Sequence, residues 1–141
     1  MNGDIELHSL PMDIECEDTR DGGSSDDDSG HDGTVGADAI VVIRAANNIV
    51  MASVELDIEA GNGGNGGDGE NAGHGATGGD AVFTLDCLGH FTITGSNFDV
   101  SSGDGGDGGR CQSDNSNSAY GGVGGVGGNL TVSIRLPLMG H

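Results

Sequence analysis

Across 141 residues the chain carries 30 glycines, three phenylalanines, one tyrosine and no tryptophan, which limits it to one domain, 1–141, with a small apolar core. Twenty-three acidic residues face four arginines and no lysine, a formal charge of −19 that excludes nucleic acid and anionic lipid as expected partners, because binding either needs neutralising cations. No run approaches the roughly 18 apolar residues of a membrane span, so membrane insertion is not expected, and no lysine amine is present for Schiff-base chemistry.

The first element is a half-repeat over 2–17. In "IELHSLPMDIEC" (5–16) apolar and polar residues alternate with one reset at Ser9, which predicts two short strands joined by a tight corner. An arm rich in Gly and Asp follows over 18–35. The first complete repeat, 36–60, predicts strands near 38–45, 48–53 and 54–60, and its second half, "IVMASVELDIEA" (49–60), matches 5–16 position by position. Asn47-Asn48 suits the turn between the first two strands, since Asn tolerates positive φ, and Ser53 suits the corner before the third.

A glycine-rich arm over 61–79 leads to the second complete repeat, 80–102. There Ala81, Phe83, Leu85 and Cys87 take the places of Ala39, Val41, Ile43 and Ala45, while Phe91, Ile93, Phe98 and Val100 take those of Ile49, Met51, Leu56 and Ile58. Gly89-His90 and Gly95 fall at the turn and the corner. After a third arm, 103–128, the half-repeat 129–141 supplies a first strand alone, with Leu130, Val132, Ile134 and Leu136 in the columns of Ala81, Phe83, Leu85 and Cys87. Strands of period two, equivalent residues in columns and excursions at one fixed position predict an all-β chain without α-helix: a short parallel β-solenoid of imperfect repeats with glycine-rich excursions. The competing arrangement is an antiparallel meander closed into a barrel by pairing the first and last half-repeats.

The arms keep a triplet rhythm. Residues 61–78 read GNG-GNG-GDG-ENA-GHG-ATG, and 103–109 and 121–128 continue it. An extended helix of three residues per turn then places Asn62, Asn65, Asp68, Asn71, His74 and Thr77 on one face and glycine on most of the other two, where neighbouring helices approach closely. In this rhythm the arms resemble proteins built on polyglycine-II helices, the glycine-rich antifreeze proteins of snow fleas and the tip adhesins of tailed phages. The resemblance implies a rigid slab of packed glycine helices. The wider pattern, GG followed by alternating apolar residues, Asp-Val or Asp-Ile and then GG-x-GG, resembles glycine-rich β-solenoid surface proteins of bacteria; it implies an extracellular or cell-surface structural role and transfers no catalytic residue. Flexible linkers are the other reading of the arms, and 18–35 and 110–119, where the rhythm fails, suit it best.

A repeat stack buries its interior only by stacking, and this chain opens and closes on complementary half-repeats. Ile5, Leu7, Leu10, Met12 and Ile14 on one side and Leu130, Val132, Ile134, Leu136 and Leu138 on the other are therefore the expected subunit interface. The last half-repeat of one copy completes a turn with the first half-repeat of the next, and such a heterologous contact propagates into a filament. The expected partner is the protein itself. The alternative is a glycine-rich binding module of adhesin or ice-binding type, acting as a closed monomer.

Chemistry is sparse. No nucleophile-base arrangement and no phosphate-binding loop is recognisable, so no enzyme is expected. Asp13, Asp57 and Asp99 form one outward column, about 5 Å apart if strands stack, and Asp26, Asp27 and Asp28 form a second acidic cluster. Stacked like charges favour a bridging cation, with Ca2+ the candidate and no cofactor required; the plainer reading is a solvated acidic face. His31 and His74 both lie on the return leg of an arm, as exposed histidines or as a two-imidazole metal site. Cys16 and Cys87 fall in inward columns and read as buried thiols, whereas Cys111, in a polar loop, is the candidate for crosslinking. Asn129-Leu130-Thr131 fits a glycosylation acceptor but belongs to the expected interface strand.

Overall fold

A computed structural model describes residues 3–25, 29–112 and 120–136. The described residues form strands and no helix: β1 (Ile5–His8), β2 (Pro11–Glu15), β3 (Ala39–Ala45), β4 (Ile49–Ala52), β5 (Glu55–Glu59), β6 (Ala81–Cys87), β7 (Phe91–Thr94), β8 (Asn97–Ser101) and β9 (Leu130–Arg135). They assemble into three sheets of three strands, ordered β1-β4-β7, β2-β5-β8 and β3-β6-β9. Every pairing is parallel, so the antiparallel meander is not formed. Strands consecutive in sequence lie in different sheets, and each pairs with its counterpart one repeat away.

The register is the one that the apolar columns require. Ile5 pairs with Ile49 and Ile49 with Phe91; Met12 pairs with Leu56 and Leu56 with Phe98; Val41 pairs with Phe83 and Phe83 with Val132. A slip of one residue would turn every one of these side chains to water, and that is the physical reason the pairing is unique. Ile49, Met51, Leu56, Ile58 and Leu85 are fully buried, Phe83 packs against Phe98 with ring centroids 5.7 Å apart, and among the described residues no polar or charged side chain is buried with them.

Local geometry explains the corners. Ser9, Ser53 and Gly95 all adopt a left-handed backbone, with φ of 49°, 55° and 59°; this is the reset point of the alternation, and small residues occupy it because a bulky side chain is strained there. The turn at Asn47-Asn48 works differently from the expectation, since neither residue has positive φ. Asn48 instead joins layers: its backbone N–H donates to Asp4 Oδ1 at 3.0 Å, and its own Oδ1 accepts the His90 N–H at 2.8 Å.

The glycine-rich stretches 17–25, 61–69 and 103–110 run outward from the sheets, and 29–38, 71–80 and 120–129 return. Their backbones bond at every third residue. Thr19, Gly22 and Ser25 donate to the carbonyls of Asn62, Asn65 and Asp68, and Gly63, Gly66 and Gly69 donate to those of Asp104, Asp107 and Arg110. A second series zigzags between outward and return stretches: Gly125 donates to Gly106, Gly106 to Ala76, Ala76 to Gly64, Gly64 to Thr34 and Thr34 to Arg20. Residues 18–25 take part in these ladders, which a flexible linker does not do.

Candidate functional site

The two ends of the strand stack differ from its middle. Edge strands β1, β2 and β3 face one way, and β7, β8 and β9 the other. Along the β6–β9 pair the inward row passes from Phe83 and Leu85, 2% and 1% exposed, to Val132 and Ile134, 54% and 52% exposed. The chemistry is unchanged from one strand to the next; among the described residues no strand pairs with the other edge of β9. Beside β9 the same end opens into a cavity of about 320 Å³ whose walls are Phe83 and Leu85 of β6, Ile93 of β7, Phe98, Asp99 and Val100 of β8, and Leu130, Val132 and Ile134 of β9, all apolar but Asp99.

At the opposite end Ile5, Leu7, Met12 and Ile14 are half-buried against the core, and Leu10, at the corner between β1 and β2, is exposed. The structure therefore separates the two groups of expected interface residues. β1 pairs with β4 and β9 with β6, and no described strand joins the first half-repeat to the last. Leu136 is exposed beyond β9, and Leu138 lies outside the described residues.

Asp13, Asp57 and Asp99 are register partners on the outward face of the β2-β5-β8 sheet, all exposed, with the Glu15–Glu59 pair alongside. Asp26, Asp27 and Asp28 lie outside the described residues. Among the described residues no three His, Cys, Asp or Glu side chains gather as a metal-holding group. The Asp column is then a stack of like charges on a solvated face, and Asp57, with a carboxylate on either side, bears the largest repulsion. Asp57→Asn is expected to raise stability by about 0.5 kcal/mol at low salt, a gain that fades in 1 M NaCl as screening grows. Thermal melts of both chains at two salt concentrations check this; a gain that appears only without Ca2+ would instead identify the column as a cation site.

His31 and His74 do not form a pair. His74 stacks on Asp32, its N–H donating to Asp32 Oδ1 at 2.7 Å, and its Nδ1 accepts the Val123 N–H at 2.9 Å. His31 occupies the neighbouring triplet position, equivalent to Gly73, and so presents a different face. Cys16, Cys87 and Cys111 are free thiols; Cys87 is buried, and Cys16 and Cys111 are half-buried. Asn129 is occupied by Asp80, whose Oδ1 accepts both its backbone and side-chain N–H.

The side chains that rise from one layer to the next form a second set of ladders. Asp104 N–H donates to Asn62 Oδ1, and Asn62 N–H to Asp18 Oδ1; Asp107, Asn65 and Asp21 repeat the pattern, as do Asn129, Asp80 and Asp38. Each carboxylate or amide oxygen satisfies a backbone donor that the three-residue rhythm leaves free. The signal for this is the recurrence of Asp and Asn at the middle position of the triplets, which a reading of the outer face as a mere hydrated surface overlooks.

No family model, no curated protein and no solved structure matches the chain.

Proposed function

We propose that this chain is a noncatalytic structural subunit of an extracellular filament: a short parallel β-solenoid with polyglycine-II-type arms, whose copies join head to tail. The observation that carries the reading is the mostly apolar cavity at the β9 end, which β1, β2 and β3 of a next copy would cover if the three sheets continued. Continuing the three sheets in the existing register sets Ile5 and Leu7 of the next copy beside Phe91 and Ile93, and its Met12 and Ile14 beside Phe98 and Val100. The free edges of β7, β8 and β9 meanwhile gain main-chain partners.

Each half-exposed aliphatic side chain gains about 1 kcal/mol on full burial, against the loss of translational and rotational freedom and the mutual repulsion of strongly acidic copies. Assembly is therefore concentration-dependent and promoted by salt. Sedimentation velocity over a concentration series, with electron microscopy of the fast-sedimenting fraction, is expected to show open-ended filaments one domain wide, forming more readily as salt is raised. A single monomeric species throughout would remove the proposal. The other reading, an ice-binding or adhesive monomer, needs a regular outward face. The exposed column Asp32, His74, Val123 mixes charge, imidazole and aliphatic groups and does not supply one.

A further inference from the structure

Glycine in the arms marks where one backbone lies against another, and its distribution is lopsided. A Cβ at Gly61, Gly64 or Gly67 would stand 2.6, 2.2 or 2.2 Å from the carbonyl oxygen of Glu17, Arg20 or Gly23 in the layer below. At Gly103, Gly106 and Gly109 the corresponding approaches, to the oxygens of Gly61, Gly64 and Gly67, are 2.0, 2.1 and 2.2 Å. The return stretches repeat this: Gly73 and Gly79 meet the oxygens of His31 and Ala37, each at 2.0 Å, and Gly122 and Gly128 meet those of Gly73 and Gly79, each at 1.9 Å. Every position in these rows that has a layer beneath it is glycine, save Ala76.

The first layer breaks the rule. Its equivalents are Glu17, Arg20 and Gly23 on the outward stretch and His31, Thr34 and Ala37 on the return, all of them exposed. The exposed side chains of Glu17, Arg20 and His31 leave the bundle from its underside, the direction in which Gly64 and Gly106 look onto a neighbour, while Thr34 Oγ1 turns back to donate to the Arg20 carbonyl oxygen at 2.9 Å. A subunit stacked there at the internal spacing would meet the Cβ of Arg20 where the structure tolerates only hydrogen. The opposite face is smooth: a Cβ at Gly124 or Gly127 would find nothing closer than 3.6 or 3.5 Å.

We infer that the underside formed by Glu17, Arg20, His31 and Thr34 is an end cap that prevents the glycine arms of successive copies from merging, so that the strand sheets alone run through each subunit junction. This rests on the filament reading for its setting, although the cap is a property of the single chain. It makes the filament a continuous β column bearing separate three-layer blades, with a polar, charged gap between blades.

The test compares the full-length wild-type chain with Glu17→Gly/Arg20→Gly/His31→Gly/Thr34→Gly/Ala37→Gly. Removing these side chains lets the main-chain ladders cross the junction, and the recovered hydrogen bonds are expected to lower the critical concentration for assembly by at least about tenfold. Hydrogen exchange is expected to show the Gly105, Gly108, Gly124 and Gly127 amides unprotected in wild-type filaments and protected in those of the variant. Protection of these amides already in wild-type filaments, or an unchanged critical concentration in a folded variant, overturns the cap. If the variant fails to fold, the wild-type exchange pattern alone decides. If the wild-type chain never assembles, the filament reading falls by itself; the cap then stands if the variant alone self-associates, and falls if it too stays monomeric.

Discussion

Gly106→Ala is expected to lower the melting temperature by on the order of 8 °C, whereas Gly124→Ala is expected to leave it unchanged or slightly raised. The two substitutions add the same methyl group to neighbouring stretches of the same arm. At Gly106 the new Cβ lands 2.1 Å from the Gly64 carbonyl oxygen, 2.5 Å from its carbon and 2.8 Å from the Gly63 oxygen. All three are backbone atoms and cannot rotate away. Gly106 is also held from both sides, donating to the Ala76 oxygen at 2.8 Å and accepting from Gly125 at 2.7 Å, so yielding to the methyl breaks a ladder that crosses every layer. Overpacking of this kind costs about 2–3 kcal/mol. At Gly124 the nearest atom is 3.6 Å away, an ordinary contact, and the only remaining effect is the lower entropy of the unfolded chain, which stabilises by about 0.4–1 kcal/mol. Circular dichroism melts of the two variants beside wild type decide it. Equal losses would mean that glycine acts here through flexibility; a loss confined to Gly106 shows that it acts through close approach.

That distinction also explains what the sequence reveals unaided. Period-two alternation, the reset at Ser9, Ser53 and Gly95, and the gapless columns through Asp13, Asp57 and Asp99 are enough to place the strands and their register, because inward apolar residues must stack on inward apolar residues. The same columns fit a parallel stack and a meander, and only the strand pairing separates them. The arms are less legible. Triplet rhythm shows which residues share a face, yet it does not show which glycine meets which backbone. The one-residue offset that sets His31 on the underside and His74 on the outer face follows from layer-to-layer bonds that no local pattern encodes. Asn48 illustrates the same limit: its residue type suits a left-handed turn, but its role is a bond to the layers above and below. The apolar rim of the β9 end is visible as a run of alternating residues; that it borders a cavity depends on residues of β6, β7 and β8 that meet it only in three dimensions.

Val132→Asp is expected to abolish filament assembly while leaving the monomer folded, whereas Thr131→Asp, one residue earlier in the same strand, is expected to retain it. In the isolated chain Val132 is already 54% exposed, so a carboxylate there keeps much of its water and the monomer loses about 1 kcal/mol or less. At the proposed junction the same side chain turns inward, between Phe83 on β6 and Val41 of the next copy, and an unpaired carboxylate in that apolar row costs several kcal/mol, enough to reduce the association constant by more than about 100-fold. Thr131 faces outward beside Val82, and a carboxylate there stays in water whether or not a neighbour docks. Both variants add one negative charge and place the same poor strand former on the same edge, so neither net charge nor propensity distinguishes them. Sedimentation at matched salt, with melting curves to confirm that both monomers are folded, makes the comparison. Assembly lost equally in both would assign the effect to charge or to the edge itself. Assembly retained in both would show that the apolar groove beside β9 is not the joint.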